Sequence, residues 1–233
     1  MNSCIGWSRL TPAGSSAGVA TAVTVRTGLP PTRRKITITT APARRRQPRV
    51  RLQCGMALKS TIYKADLQVA DMDRHYYADH PLTIACHPSE TAERMMVRVL
   101  AFALNAHELL AFGKGLSDVG EPDVWHRDLT GAIKHWIEVG QPDERSVLKA
   151  CGKADRVTVY AYGSSTPQWW KQVGPKLERA RNLKVVGIDP EAARALAKLA
   201  RRNMRLQCTI QDADVWMRDD TEAVQVSLNP LQG

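Results

Sequence analysis

The segment 133–140 (IKHWIEVG) restricts the fold more than any other part of the sequence, because it combines strand-forming residues with one acid. Trp136, Ile137 and Val139 favour an extended, buried strand. Glu138 lies between them, and an ionised carboxylate in such a strand is costly unless a cation, a basic side chain or a proton meets it. We therefore expect Glu138 to take part in the chemistry of the protein.

The residues that follow this strand predict an immediate turn into a helix. Gly140, Gln141 and Pro142 end the strand pattern, and Asp143 and Glu144 are typical of a first helical turn. A buried strand that leads directly into a helix is a common unit of α/β proteins, in which helices cover a sheet.

Strand and helix patterns alternate along the rest of the chain from residue 60. The longest helix is expected from the start signal at Glu90 to Phe112, before the stop signal at Gly113. The other expected elements are a hairpin of 60–69 with 82–86, strands at 124–127, 133–139, 156–162, 183–188 and 222–228, helices at 142–153, 167–181 and 190–203, and a hairpin of 206–211 with 215–217. The predicted fold is therefore α/β, a mixed central β-sheet flanked by helices, with N- and C-terminal β-hairpins.

The net charge of +10 is distributed unevenly along the chain. Residues 1–55 contain ten Arg or Lys and no acid, so the other 23 basic residues balance the 23 acidic ones in 56–233. A neutral folded domain lacks the overall basic charge that is typical of enzymes acting on nucleic acid.

The first 55 residues are rich in Ala, Thr, Ser, Pro and Arg and lack hydrophobic periodicity, so we predict that they are disordered. Three origins fit this composition: a basic arm that contacts nucleic acid, an organelle leader, or a spurious extension upstream of a start codon at Met56. We favour the third, which makes 56–233 the folded domain.

Cysteine and histidine patterns exclude several classes of protein. The five cysteines are far apart and form no Cys-x-x-Cys pair, which argues against structural zinc or a disulfide framework and fits a reducing cytoplasm. The six histidines have no metal-ligand spacing. No apolar run reaches about 18 residues, so no membrane span is expected.

Glu93 is a second candidate for chemistry. It lies three, four and seven residues before Met96, Val97 and Leu100, so it shares the helical stripe that should face the sheet. The alternative is that Glu90 and Glu93 stabilise the positive end of the helix dipole, which explains Glu90 well.

Asp118, Glu121 and Asp123 precede the predicted strand 124–127. Acids in a loop are usually solvated, but Glu121 or Asp123 could lie beside Glu138 on the adjacent strand. Paired carboxylates of this kind hold Mg²⁺ or Mn²⁺ during phosphodiester cleavage.

Four motifs carry a family resemblance, namely 56–64 (MALKSTIYK), 87–94 (HPSETAER), 121–125 (EPDVW) and 136–144 (WIEVGQPDE). With them the chain from Met56 to its C-terminus resembles the YaeQ family of bacterial proteins. The resemblance implies an α/β domain similar to a variant of the PD-(D/E)xK nuclease fold, in which a helix with a Glu precedes a sheet with acid and lysine motifs. It also favours Met56 as the natural start.

The resemblance implies a role for each matching residue. Glu93 corresponds to the helical acid, Glu121 or Asp123 to the acid of the first strand motif, and Glu138 to the acid of the second, so that Mg²⁺ would be held by Glu121 or Asp123 with Glu138. The pattern departs at Gly140, where the superfamily has a lysine that polarises the scissile phosphate.

No other residue clearly supplies the missing positive charge. Gln141 could orient a water or a phosphate but has no charge. Lys134 lies too far along the strand, and the direction of Lys149 on the next helix is open. Arg94 and Arg127 are the other cations near the motifs, and neither is a convincing replacement.

Two further features have competing interpretations. Trp169 and Trp170 could stack on bases, although adjacent helical residues point about 100° apart, so one is expected in the core and the other half-exposed. Asp189 and Pro190 lie between a strand and a helix, where α/β proteins often bind ligands, but they also fit a simple helix start.

Two functions follow as hypotheses. The first is a Mg²⁺-dependent phosphodiesterase with nucleic acid as its partner, for which the carboxylates of Glu93, Glu121 or Asp123, and Glu138 must converge. The second is a non-catalytic interaction or regulatory module, for example one associated with transcription, that retains the nuclease fold.

Overall fold

Two β-sheets and four α-helices make up the part of the chain that a computed structural model describes, residues 60–114 and 120–233. The chain divides into two units, Met1–Gln53 and Cys54–Gly233. The predicted disorder of 1–55 concerns residues that lie outside the described part of the chain.

The first sheet has five strands in the order β10-β9-β8-β1-β2. These strands are β1 (Thr61–Asp71), β2 (Tyr76–Cys86), β8 (Asn203–Gln211), β9 (Asp214–Arg218) and β10 (Ala223–Val226). The predicted hairpins β1–β2 and β8–β9 are confirmed as antiparallel pairs, while β1 and β8 pair in parallel. Strict alternation of buried and exposed residues in β1 and β8 is typical of a sheet that packs on one face only.

The second sheet has six strands in the order β11-β7-β6-β5-β4-β3. They are β3 (Leu110–Phe112), β4 (Val124–Arg127), β5 (Ile133–Val139), β6 (Ala154–Tyr162), β7 (Leu183–Ile188) and β11 (Leu228–Gln232). Strands β5, β6 and β7 are parallel, and a helix follows each of them along the chain. Strand β11 pairs with β7 in the antiparallel direction. Their near-continuous apolar sequences fit burial on both faces.

The four helices are α1 (Ala92–Leu104), α2 (Glu144–Cys151), α3 (Thr166–Leu177) and α4 (Pro190–Lys198). One core joins the inner face of the first sheet, α1, α4 and one face of the second sheet. A second core joins the opposite face of the second sheet with α2 and α3. Helices α1 and α4 therefore lie between the two sheets. None of the helices in the described ranges has the length and apolar composition needed to span a membrane.

The α/β class is confirmed, with the strands divided between two mixed sheets. The predicted last strand is also divided, because Ala223–Val226 pairs with β9 whereas Leu228–Gln232 pairs with β7. The chain thus passes from one sheet to the other at Ser227.

The prediction that the longest helix reaches Phe112 is wrong, because α1 ends at Leu104. The Asn105 side chain donates hydrogen bonds to the carbonyl of Ala101 (2.8 Å) and to the hydroxyl of Tyr160 (2.7 Å) on β6. These bonds stop the helix at Asn105 and attach its end to the second sheet. Phe112 belongs instead to the short strand β3, opposite Val124.

We expect Asn105→Ala to lower the free energy of unfolding by about 1–3 kcal/mol, because it removes both hydrogen bonds from the end of α1. Urea denaturation followed by circular dichroism measures this change. Asn203→Ala, at an exposed position of β8, is the matched control and should cost less than about 0.5 kcal/mol. Equal losses in the two variants would contradict the role of Asn105.

Candidate functional site

The predicted site lies where the start of α1 meets the ends of β4 and β5, and it is a cluster of two acids and two arginines. Arg94 Nη2 lies 2.8 Å from both carboxylate oxygens of Asp123 and 3.3 Å from the carbonyl oxygen of Val139. Arg94 Nη1 donates to Glu90 Oε1 at 3.0 Å. One arginine therefore joins the residues before α1, before β4 and at the end of β5.

Arg98 is the second arginine of this cluster and is fully buried. Its Nη1 donates to both carboxylate oxygens of Glu90 at 2.9 Å, and its Nε lies 3.7 Å from Asp123 Oδ1. Its Nε and Nη2 have no hydrogen-bond partner in the described structure, while its guanidinium lies 5.4 Å from the ring centroid of Phe112. Glu90 neutralises this buried charge directly, and Asp123 adds a second negative charge nearby.

The buried acid at the start of α1 is Glu90, which lies just before the helix, whereas the predicted Glu93 on the helix is half-exposed. Thr91 caps α1 by accepting a hydrogen bond from the Arg94 amide at 3.2 Å, so Glu90 precedes the helix. The Glu90 amide donates to the His87 carbonyl (2.8 Å). The turn that this bond closes directs the Glu90 side chain toward Arg94 and Arg98. Helical periodicity applies only to residues inside a helix. The periodic pattern therefore selected Glu93 and could not select Glu90, which precedes the cap.

Asp123 is the buried acid of the loop before β4, and its carboxylate is fully engaged. Besides the two contacts with Arg94, Asp123 Oδ2 accepts a hydrogen bond from the Val139 amide at 2.8 Å. Glu121 is half-buried and forms a salt bridge of 3.0 Å with the exposed Lys114. Asp118 lies outside the described residues.

Glu138 is half-buried and forms no salt bridge within the part of the chain described. The pKa of its carboxyl is raised, mainly by burial and further by the negative charge of Asp123. The indole N–H of Trp136 donates to Oε2 at 2.9 Å and partly offsets this rise in pKa. The Glu138 side chain borders a cavity of about 70 Å³ whose lining also includes Lys149 and Lys153. The direction of Lys149, which the sequence left open, is thus toward the Glu138 cavity.

The backbone conformation at Gly140, where the resemblance to the nuclease fold would place a lysine, favours glycine. Its φ is +115°, in the left-handed region, and its amide donates to the Tyr160 carbonyl at 2.9 Å. A lysine would be strained here by about 1–3 kcal/mol, because a Cβ disfavours this conformation whatever space surrounds it. The strand β5 ends at Val139, one residue before the lysine position.

Gln141 forms structural hydrogen bonds that occupy its amide. Its Nε2 donates to the Tyr162 carbonyl (3.0 Å) and lies within bonding distance of the Ser165 and Thr166 hydroxyls, at 2.9 and 3.3 Å. Its Oε1 accepts from the Ser165 hydroxyl at 3.0 Å. Gln141 thus ties the loop after β5 to the start of α3, and this amide has no spare N–H for the predicted water or phosphate.

The predicted ligand set for Mg²⁺ does not fit the cation. Asp123 is engaged by Arg94 and Glu121 by Lys114, which leaves Glu138 with its bond from Trp136. Across residues 60–114 and 120–233, no three His, Cys, Asp or Glu side chains are grouped so that they could hold a metal ion.

Sequence analysis missed the role of Glu90 and Arg98, although one signal was present. Arg98 interrupts the otherwise apolar run of α1, MMVRVLAFAL. A charged residue in the buried stripe of a helix predicts a buried partner. Glu90, Arg94 and Arg98 follow each other at intervals of four residues, which could have identified that partner.

Comparison with known proteins confirms the family resemblance. A family model described as "YaeQ protein" matches residues 56–228. "Uncharacterized protein YaeQ" of Escherichia coli is 46% identical over 178 residues, which cover 76% of this chain and 98% of that protein. The protein of the same description from Salmonella typhi is also 46% identical over 178 residues, with the same coverage of both chains.

Two crystal structures have the same fold. YaeQ protein from Xanthomonas axonopodis pv. citri superposes with a TM-score of 0.73 at 48% identity, covering 75% of this chain and 99% of that one. YaeQ protein from Pseudomonas syringae superposes with a TM-score of 0.72 at 40% identity, covering 75% and 97%.

Arg98→Met should lower the free energy of unfolding by about 3 kcal/mol, because the buried charge of Glu90 loses a partner. Urea denaturation at neutral pH measures the loss. The double variant Arg98→Met with Glu90→Gln removes both charges and should recover part of that loss. A loss below about 1 kcal/mol in the single variant would show that the pair does not support the core.

Glu138→Gln should change how stability depends on pH. A carboxyl whose pKa is raised by folding binds its proton more tightly in the folded state, so stability falls as pH rises through the folded pKa. The glutamine variant does not titrate, so its stability relative to the wild type should increase from acidic to neutral pH.

Thermal unfolding measured over a pH series tests this expectation. The exposed Glu222→Gln is the control and should follow the wild-type pH profile. Parallel curves for the wild type and Glu138→Gln would contradict the raised pKa.

Proposed function

Since the chain belongs to the YaeQ family, whose relatives above are described only as uncharacterized, we propose a function from the site itself. The protein is a non-catalytic interaction module that retains the α/β fold without metal-dependent chemistry. We further propose that the fold derives from a PD-(D/E)xK nuclease and that the cleavage activity of this ancestor has been lost.

The contact of Arg94 with Asp123 carries the proposal. In a metal-dependent nuclease the corresponding acid must offer free oxygen atoms to a divalent cation. Here the guanidinium of Arg94 lies 2.8 Å from both oxygens of Asp123, and the Val139 amide binds one of them. Arg94 therefore supplies permanently the positive charge that a metal ion would bring, and it repels a second cation at the same position.

Phosphodiester cleavage is the second candidate function, and one observation favours it. Glu138 shares its cavity of about 70 Å³ with Lys149 and Lys153. An acid beside a lysine is the pair that a nuclease needs when the motif lysine at position 140 is absent.

The proposal also assigns the protein to the cytoplasm. Cys86, Cys151 and Cys208 are free thiols, and burial raises the pKa of Cys208 to about 12. Thiols that stay protonated at neutral pH are inert toward disulfide exchange, which suits a reducing compartment.

We expect no cleavage of plasmid DNA, single-stranded DNA or RNA by the full chain in the presence of Mg²⁺ or Mn²⁺. Agarose gels and denaturing gels measure cleavage of these substrates. Cleavage that is lost in Glu138→Gln and in Lys149→Gln would overturn the proposed function in favour of the second candidate. Cleavage that persists in both variants would place the active site elsewhere in the chain.

A matched metal titration tests why cleavage is absent. Arg94→Met removes the cation that contacts both oxygens of Asp123 and leaves the Val139 amide and Arg98 in place. Mn²⁺ at about 10 times its dissociation constant should therefore stabilise this variant by about 1.4 kcal/mol and leave the wild type unchanged. Arg205→Met, at an exposed position of β8, is the control and should behave as the wild type. Stabilisation of the wild type by Mn²⁺ would contradict the claim that Arg94 replaces a metal ion.

A further inference from the structure

A cavity of about 360 Å³ lies at the carboxyl ends of β6 and β7 and shares no lining residue with the cluster around Arg94. Its walls come from α3, from the junction of β7 with α4, and from β11. Pro167 and Trp170 form one side, Ile188 and Pro190 another, and Leu231 the third. The lining is mostly apolar, and its volume falls in the range of about 300–1,000 Å³ that is typical of small-molecule sites.

The fold explains why a cavity forms here. Strands β6 and β7 are parallel, so the loops that follow them leave the sheet at the same edge. Gly163 turns the chain after β6 with a φ of +97°, and Asp189 caps α4 by accepting from the amides of Glu191 and Ala192 at 3.0 and 3.1 Å. The two helices therefore start on either side of the edge, where ligands of α/β proteins commonly bind.

Trp170 is a pre-positioned wall of this cavity. A Cβ atom at Gly174 would lie 2.9 Å from Trp170 Cε2, so the glycine on the next turn of α3 lets the indole lie close against the helix. The ring is half-buried and borders the cavity. The flat face of the indole is complementary to another aromatic ring. Because the indole is already held in place, binding does not cost the entropy of ordering it.

Positive charge lies at the edge of the same cavity. Lys171 is exposed, and no salt bridge or hydrogen bond joins its ammonium group to another described residue. The acid in the lining, Asp189, is already engaged by two backbone amides.

We propose that this cavity binds a small, flat, anionic aromatic molecule, with its ring against Trp170 and its acidic group at Lys171. The inference rests on the proposed function as a binding module, and it names the class of ligand. An apolar, partly enclosed space excludes a highly charged polymer, whereas the ammonium group of Lys171, unpaired among the described residues, favours one negative charge.

A matched pair of fluorescent probes tests the inference on the full chain. Anilinonaphthalenesulfonate carries one sulfonate, and phenylnaphthylamine has the same rings without it. We expect one sulfonate probe to bind per chain, about five-fold more tightly than the uncharged probe, since only the sulfonate is attracted by the Lys171 ammonium group.

Two variants separate the ring contact from the charge contact. Trp170→Ala should weaken both probes by at least about five-fold, because it removes the aromatic face on which the ring of either probe stacks. Lys171→Gln should reduce the preference for the sulfonate and leave the uncharged probe unaffected. Trp216→Ala and Lys64→Gln, both exposed on the first sheet, are the controls and should bind both probes as the wild type does.

The position of the site has an independent check in case Trp170→Ala fails to fold. Ser164 is exposed in the cavity lining, so Ser164→Trp should fill the cavity and block both probes without loss of stability. Equal affinity for the two probes, or unchanged binding in folded Ser164→Trp and Lys171→Gln, would overturn the inference. Nucleic acid cleavage by the wild type would overturn the proposed function alone, because it is measured without the probes.

Discussion

Arg94 holds together the three segments on which the arrangement of α1 against the second sheet depends. It contacts Glu90 before the helix, Asp123 before β4, and the carbonyl of Val139 at the end of β5. Asp123 in turn accepts the Val139 amide, so both backbone groups of Val139 are bound by the same ion pair. Buried charges of this kind support a fold only as a complete set, since removal of one leaves the others desolvated and unpaired.

The same contacts decide what the predicted site can do chemically. The acids that would have to bind a cation are already neutralised from within the chain, by Arg94 at Asp123 and by Lys114 at Glu121. The turn after β5 needs a positive φ at Gly140, which disfavours a lysine there. Under the proposed function, these contacts take away a free carboxylate and the motif lysine, two features that metal-dependent cleavage needs.

The two parts of the second sheet differ in how their polar groups are satisfied. In the cluster around Arg94 nearly all charges are paired inside the protein, which leaves little for a ligand to bind. At the carboxyl ends of β6 and β7, Trp170 and Lys171 border a cavity, and the ammonium group of Lys171 has no polar partner among the described residues. A binding function therefore fits the second location better, because ligand affinity requires groups that the fold has not already used.

Local patterns in the sequence determined the strand β5, the turn at Gly140, the N- and C-terminal hairpins and the start of each later helix, because alternation, helical periodicity and capping act over a few residues. Tertiary structure alone decided that α1 stops at Asn105, since Tyr160 is 55 residues away. Likewise, the division into two sheets depends on the pairing of β1 with β8 and of β7 with β11. Glu138 and Asp123 were identified from the sequence as buried or functional acids, but their partners were not. A salt bridge between Arg94 and Asp123 spans 29 positions, and only the folded chain brings two such residues together.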